Sequence, residues 1–290
     1  MIRLKMFRKK EFFDNIQKKV GLLSLSKRKV VNYILNSYQK AAFMTAKEIA
    51  EKCSVSESTV NRFSKDLGYS GFPSFIMNLK NIVHGELSGA DRLELINSNR
   101  EKSNIDYLNY LVEDEIQNLS KLSHIDKKDF DQFVCMIVEA KNILLVGSRF
   151  SSIIVHYLYY GLRKIKDGVS YVDHIDSVAY DYLELLESNT LIIAVGLGRY
   201  PKEVIEFLEL AKIRNIKIVS ITDSPISPFI NHSEISLIAP VEIQSYLGTI
   251  SAPGCLAAAI TSEVSLQTKD FSIIRLNRLE GIARKRSYYV

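Results

Sequence analysis

At 290 residues the chain has room for about two domains, and an apolar fraction of 47% supplies packed cores and excludes a disordered polymer. Three cysteines, Cys53, Cys135 and Cys255, stand too far apart for a metal-ligand motif, and no apolar run reaches the roughly 18 residues of a membrane span. The charge is uneven: residues 1–85 hold 16 Lys and Arg against 6 Asp and Glu, +10, while the remainder holds 22 against 27, −5, which gives the chain its +5.

Such asymmetry is what a protein shows when only one of its domains meets nucleic acid. Taken alone, Lys9, Lys10, Lys18, Lys19 and the run Lys27-Arg28-Lys29 are equally well solvated faces. At the amino end Phe12-Phe13 is followed at once by Asp14-Asn15, unlike a secretory signal, so a cytoplasmic protein with reduced thiols is expected. Cys53 and Cys135 fall on apolar helical stripes and are expected to serve packing.

In chain order, Ser24 or Ser26 caps a first helix through about Ser37, with Val30, Val31, Ile34 and Leu35 on its apolar side. Thr45 to Gly71 then reads as two short helices joined by a tight turn. Thr45 with Glu48 fits a capping box, and Ala46, Ile49, Ala50 and Cys53 recur at i, i+3, i+4 and i+7. Ser54-Val55-Ser56 breaks the pattern, with Val55 placed to plug the corner and Ser56 to cap the next helix. Over 56–67, Val60, Phe63 and Leu67 share an inward face, and Gly68 ends the helix as a left-handed cap. Ser58, Thr59, Arg62 and Lys65 share the opposite face. Small hydroxyls allow close approach to a DNA groove, and Arg and Lys reach phosphates or guanine edges. A further helix opens at Phe72-Pro73 and runs to about Val83, and the polar stretch 84–104 reads as a linker.

A helix over about Ile105–Leu122 leads into a second region whose pattern alternates strand and helix. Ile143–Val146, Val169–Val172, Leu191–Val195, Ile216–Ile221 and Ile235–Ile238 are short and rich in β-branched residues. Helical stretches lie at about 151–165, 177–187, 201–214 and 252–267. Strands apolar on both faces and spaced by helices imply a parallel sheet covered on both sides. The fold class expected is α/β: an N-terminal all-α helix-turn-helix domain over 1–84, a linker and connecting helix over 85–122, and a three-layer, flavodoxin-like domain with a five-stranded parallel sheet over 123–290. Neither repeats nor low-complexity tracts occur.

In such a sheet a ligand sits beyond the carboxyl ends of the strands, between the first and third. The loops there are Gly147-Ser148-Arg149-Phe150-Ser151-Ser152 and Gly196-Leu197-Gly198-Arg199-Tyr200-Pro201. Each follows a strand and opens a helix, whose first amides carry partial positive charge. The candidate ligand-binding set is Ser148, Arg149, Ser151, Ser152, Gly198, Arg199 and Tyr200, and the two arginines point to an anionic ligand. The plain alternative is a pair of tight turns whose arginines pair with carboxylates such as Asp223 or Asp173. Asp173-His174-Ile175-Asp176 reads as a loop with Asp176 capping a helix. His84, His124, His156 and His232 are isolated, Glu263 stands alone, and no Ser-His-Asp or Cys-His arrangement emerges. No catalytic residue, metal or cofactor is expected. The basic end Arg284-Lys285-Arg286-Ser287-Tyr288-Tyr289 reads as a frayed tail.

With both halves laid out, the chain resembles the RpiR (MurR/RpiR) family of bacterial transcription regulators over nearly its whole length. LSLSKRKVVNYIL at 23–35 and AFMTAKEIAEKCSVSESTVNRFSKDLGYSGF at 42–72 carry the resemblance in the first half. GSRFSS after the first strand and LIIAVGLGRYPKEVIEFLELAKIRNIKIVSITDSPISP at 191–228 are similar to a sugar isomerase (SIS) domain. The resemblance implies an N-terminal domain that binds operator DNA as a dimer, or dimer of dimers, through Ser56, Ser58, Thr59, Arg62 and Lys65. It also implies a SIS domain that senses a phosphorylated sugar or related metabolite without turning it over, with Ser148, Ser151 and Ser152 in the first ligand loop. The second loop departs from the family's usual Ser-x-Ser-Gly-x-Thr phosphate cradle and loses three hydroxyls. Arg149 also stands where a second glycine is common. Either the arginines replace hydroxyls, or the ligand is not a standard sugar phosphate, or the domain serves dimerisation alone.

Overall fold

The computed structural model describes residues 12–21, 23–86, 88–100, 106–241 and 246–288. Lys9, Lys10, Ser103, Ile105 and Tyr289, and the side chain of His84, lie outside what is described. The chain divides into two compact units, Met1–Ser88 and Gly89–Val290.

The first unit is all helical: α1 over residues 12–20, α2 Leu25–Ala41, α3 Ala46–Cys53, α4 Glu57–Asp66 and α5 Phe72–Glu86. Apolar residues at helical spacing meet in one core of Ile16, Val30, Val31, Ile34, Ile49, Val60, Phe63, Phe75, Leu79 and Val83. Phe75 is its hinge-pin, edge-on to Phe63 at 5.4 Å and stacked on Phe12 at 5.9 Å. Burying each such side chain is worth about 1.5–3 kcal/mol. The capping box at α3 is present in full: Glu48 N–H donates to Thr45 Oγ1 at 3.2 Å and Thr45 N–H to Glu48 Oε2 at 2.7 Å. α2 runs past the expected Ser37 to Ala41. Ser37 itself leaves helical geometry (φ −143°), so the helix bends there and resumes.

The second unit opens with α6 Gly89–Arg100, in the stretch read as linker. Ala90, Leu93 and Glu94 are good helix formers, and their signal is diluted in sequence by the surrounding Gly and Ser. After α7 Tyr107–Lys121 and α8 Lys127–Glu139 come β1 Asn142–Val146, α9 Ser152–Ile165, β2 Val169–Val172, α10 Ser177–Glu184, β3 Thr190–Gly196, α11 Lys202–Ile213, β4 Lys217–Thr222, β5 Ile235–Ile238, α12 Ser251–Gln267 and α13 Lys269–Lys285. All strand pairs are parallel, in the order β2-β1-β3-β4-β5. Every residue of the central β3 is buried, whereas β2, on the edge, leaves Tyr171 exposed. That order reverses direction between β1 and β3, the place where the sequence puts the two candidate loops.

Two expectations need correction. α13 takes in the first two residues of the expected frayed tail: its helix extends to Lys285, with Arg284 Nε on Glu280 Oε1 at 3.1 Å and Arg275 bound to the carbonyls of Arg163 and Lys164 on α9. Cys135 is exposed, not packed, because α8 buries Phe133, Val134 and Ile137 instead and leaves the thiol beside Glu139. Among the described residues no helix is long and apolar enough to cross a membrane, and no His, Cys, Asp and Glu group could hold a metal ion.

Candidate functional site

In the first unit, three residues join α3 to α4. Ser54 adopts a left-handed conformation (φ 51°), and the Val55 amide bonds to Ala50 O at 2.9 Å, which turns the chain sharply. Val55 is half-buried in that corner. Ser56 caps α4: its Oγ accepts from the Thr59 amide at 3.3 Å and lies 2.9 Å from the hydroxyls of both Ser58 and Thr59. Gly68 follows with φ 99°, a conformation that favours glycine.

This local chemistry fixes which way α4 faces. Val60 and Phe63 are fully buried and Leu67 nearly so, which leaves Ser56, Ser58, Arg62 and Lys65 exposed and Thr59 half-buried. Neither Arg62 nor Lys65 forms an ion pair among the described residues, so both cations face solvent. By contrast, Lys27 pairs with Asp66, Lys19 Nζ donates to Asp66 O at 2.9 Å, and Arg28 donates to the carbonyls of Gly21 and Leu23. The basic field therefore has a fixed part around α4 and a free part on it.

In the second unit the two loops at the sheet's switch point are tied together. Ser151, 2% exposed, accepts the Leu197 amide on Oγ at 3.0 Å. Gly196 can have no side chain, since a Cβ there would lie 2.6 Å from the Phe229 ring. Ser148 is buried, and its Oγ has no partner among the described residues. A buried hydroxyl left without a bond costs about 1–3 kcal/mol, which a ligand can recover. Arg149 is exposed with φ 57°; a left-handed position here explains why a glycine fits it well. Ser152 Oγ donates to Arg149 O at 2.6 Å.

The second loop is organised by a residue from β4. Gly198 N–H donates to Asp223 Oδ2 at 2.9 Å, and Tyr200 Oη donates to Asp223 Oδ1 at 2.7 Å. Burial pushes the Asp223 carboxyl above its ordinary value, against the pull of those donors. Burial and the Asp223 charge raise the Tyr200 phenol well above its usual range, so it stays a donor at neutral pH. The carboxylate does not pair with Arg149 or Arg199: neither guanidinium forms an ion pair among the described residues, and Arg199 is exposed. Asp173 bonds instead to His156 Nε2 at 2.8 Å, and Asp176 caps α10 through the Ala179 amide at 3.0 Å. The amide of Gly198, expected to face a ligand, is thus turned on an internal carboxylate.

Arg92 on α6 is a member of this neighbourhood that the sequence reading missed. It is 7% exposed; burial and the Arg199 charge lower its pKa while the Asp223 carboxylate raises it. A lone arginine in a polar stretch gives no sequence signal for that placement.

Residues 10–85 match the helix-turn-helix domain of the rpiR family, and residues 136–268 match the SIS domain. The HTH-type transcriptional regulator HexR of Escherichia coli (strain K12) is 25% identical over 241 residues, covering 82% of this chain and 81% of its own length. Among solved structures, the Vibrio vulnificus NanR protein complexed with ManNAc-6P is 21% identical and covers 94% of this chain and 98% of its own, with a TM-score of 0.58. The sugar isomerase domain of the RpiR transcription factor from Sphaerobacter thermophilus is 19% identical and covers 58% of this chain and 95% of its own, with a TM-score of 0.56. These structures share the fold. Exposed hydroxyls and cations on α4, a parallel sheet in the order 2-1-3-4-5 and both domain matches agree: the chain belongs to the RpiR family of transcriptional regulators, with a helix-turn-helix domain followed by a SIS domain.

Proposed function

We propose that this protein is a cytoplasmic regulator that binds operator DNA through α4 and senses a phosphosugar or related anionic metabolite in its SIS domain, controlling carbohydrate metabolism genes. It is a binding protein and not an enzyme. Ser56, Ser58, Thr59, Arg62 and Lys65 form the DNA face; Ser148, Arg149, Ser151, Ser152, Gly198, Arg199 and Tyr200 surround the ligand. One observation carries the sensing half: Ser148 Oγ is buried without a partner at the sheet's switch point, in a loop lashed to its neighbour through Ser151 and Leu197. That a relative of the same fold is complexed with ManNAc-6P supports the same ligand class.

Homodimerisation, or a dimer of dimers, completes the reading. Tyr157 and Tyr160 on α9 and Phe271 and Ile274 on α13 are exposed on neighbouring helices, an apolar face suited to a second copy. Two copies then present two α4 helices to half-sites about one helical turn apart, or a multiple. Ligand binding shifts operator affinity only by its differential affinity for the two arrangements of the dimer.

The test is thermal shift of the full chain against phosphorylated sugars, their unphosphorylated counterparts and inorganic phosphate. A stabilisation by a phosphorylated compound that is lost in Arg199→Ala is expected. A uniformly flat result instead favours a second reading, in which the SIS domain only dimerises. Its support is specific: the second loop lacks three hydroxyls, and Asp223 already occupies the Gly198 amide.

A further inference from the structure

Another buried polar atom stands unpartnered in the second unit, on α7. Glu115 takes two donors on one carboxylate oxygen: Oε1 accepts from Thr249 Oγ1 at 2.6 Å and from Asn118 Nδ2 at 2.9 Å. The other oxygen, Oε2, is shut off from solvent and has no partner among the described residues. Asn118 is itself fully buried, and its Oδ1 accepts from Lys121 Nζ at 3.1 Å. The carboxylate is thus held at Oε1, while Oε2 keeps its capacity to accept.

The segment that carries Thr249 leads to the first ligand loop. Gly248 packs so closely that a Cβ on it would stand 2.3 Å from Val241 Cγ1 and 3.8 Å from Phe150 Cε1. Phe150 belongs to the loop whose Ser148 hydroxyl is likewise buried and unpartnered. A single run of contacts therefore joins the two orphans, from the loop of Ser148 and Phe150 through Gly248 and Thr249 to Glu115. Their chemistries differ. A serine hydroxyl can donate to an anion, whereas an ionised carboxylate only accepts. A phosphate is repelled from Oε2, so the part of a ligand that meets it carries O–H or N–H. Burying an acceptor without a donor is unfavourable, and a ligand's donor recovers that loss.

We propose that Glu115 is a ligand-binding residue whose Oε2 accepts from a hydroxyl or N–H on the sugar part of a phosphorylated metabolite bound at the first loop. With the SIS domain as sensor, on which this assignment rests, the site selects a donor-bearing carbon skeleton and not phosphate alone. Thr249 is a positioning residue that fixes the carboxylate by holding Oε1.

The experiment is calorimetric titration of the full-length protein and its Glu115→Gln and Glu115→Asp variants with glucose 6-phosphate, glucosamine 6-phosphate, ManNAc-6P and methyl phosphate, an ester with no donor on its carbon. Melting curves of each variant accompany it. Glutamine keeps the shape and an acceptor for Thr249 but sets a donor where Oε2 stood. The expected result is that at least one sugar phosphate binds the wild type more tightly than methyl phosphate does. Glu115→Gln is expected to bind that sugar phosphate at least tenfold more weakly, with methyl phosphate unchanged. An equal loss for both ligands marks Glu115 as a structural support and overturns the assignment. Unchanged affinity for every probe also overturns it and leaves the sensing role intact. If none of the probes binds the wild type, the sensing role falls and this assignment with it. Should Glu115→Gln melt well below the wild type, Glu115→Asp decides, since it keeps the charge and draws the carboxylate back by one methylene: a wild-type preference for the sugar phosphate there sinks the proposal.

Discussion

Removing one oxygen at Ser151 is expected to loosen the link between the two ligand loops. Ser151 is 2% exposed and Leu197 1%, and the hydroxyl accepts the Leu197 amide at 3.0 Å across the β1–β3 switch point. In Ser151→Ala that amide stays buried with no acceptor, which costs about 1–3 kcal/mol. For a domain of this size each kcal/mol moves the melting temperature by about 2–4 °C, so a fall of roughly 2–12 °C follows. The control is Ser152→Ala, next in sequence, whose hydroxyl bonds at the surface to the Arg149 carbonyl. Such a surface change stays within about 0.5 kcal/mol. Scanning calorimetry of the full chain measures both, since the chain has no tryptophan to report unfolding by fluorescence. A Ser151→Ala melting temperature no lower than that of Ser152→Ala would refute the idea that this bond holds the loops together.

Three further expectations follow from the same geometry. Thr45→Ala removes the hydroxyl that accepts the Glu48 amide at the start of α3, while the Thr45 N–H bond to Glu48 Oε2 is kept, and is expected to destabilise the first unit by about 0.5–2 kcal/mol in urea denaturation followed by circular dichroism. Arg62→Ala is expected to weaken DNA binding by about 1–3 kcal/mol with relaxed preference at one base position, whereas Lys65→Ala lowers affinity for all sequences and reduces the salt slope by about 1; wild-type binding by both variants would mean that another face of the domain meets DNA. Burial holds the Asp223 carboxyl above its ordinary 3.8, so the folded protein binds that proton more tightly than the unfolded chain. That contribution is fully present below the unfolded value and is lost as pH rises through the folded one. Wild type is therefore expected to lose stability relative to Asp223→Asn as pH rises above about 4, and a wild type that gains stability relative to Asp223→Asn over that rise contradicts it.

What was legible in the sequence was local. The capping box at Thr45, the Ser56 cap and the Val60–Phe63–Leu67 face each sit within a few residues of their partners, so spacing alone revealed α3, α4 and the exposed set. The strands were legible because β-branched runs of that length have few other uses, and the switch point followed from their order. The interior of the ligand site was not legible. Asp223 and Gly198 are 25 residues apart, and nothing in either segment says that a carboxylate turns the loop amide inward. Arg92 escaped for a different reason: α6 is short and polar, flanked by Gly and Ser, and in sequence this buried cation resembles any solvated one. α13 was hidden because Phe271, Ile273, Ile274, Leu276, Leu279 and Ile282 point around the helix, all six of them exposed, so no single apolar stripe marks it.

The most direct test of a ligand-responsive regulator is operator affinity with and without ligand. DNA selected from a random library by the full-length protein, labelled and followed by fluorescence anisotropy, gives that affinity at fixed salt. A phosphosugar that stabilises the protein is expected to change operator affinity by about 5-fold or more, in the range of ordinary allosteric coupling, and the change is expected to be lost when Arg199 is replaced by alanine. A compound that binds the SIS domain tightly yet leaves operator affinity unchanged contradicts it.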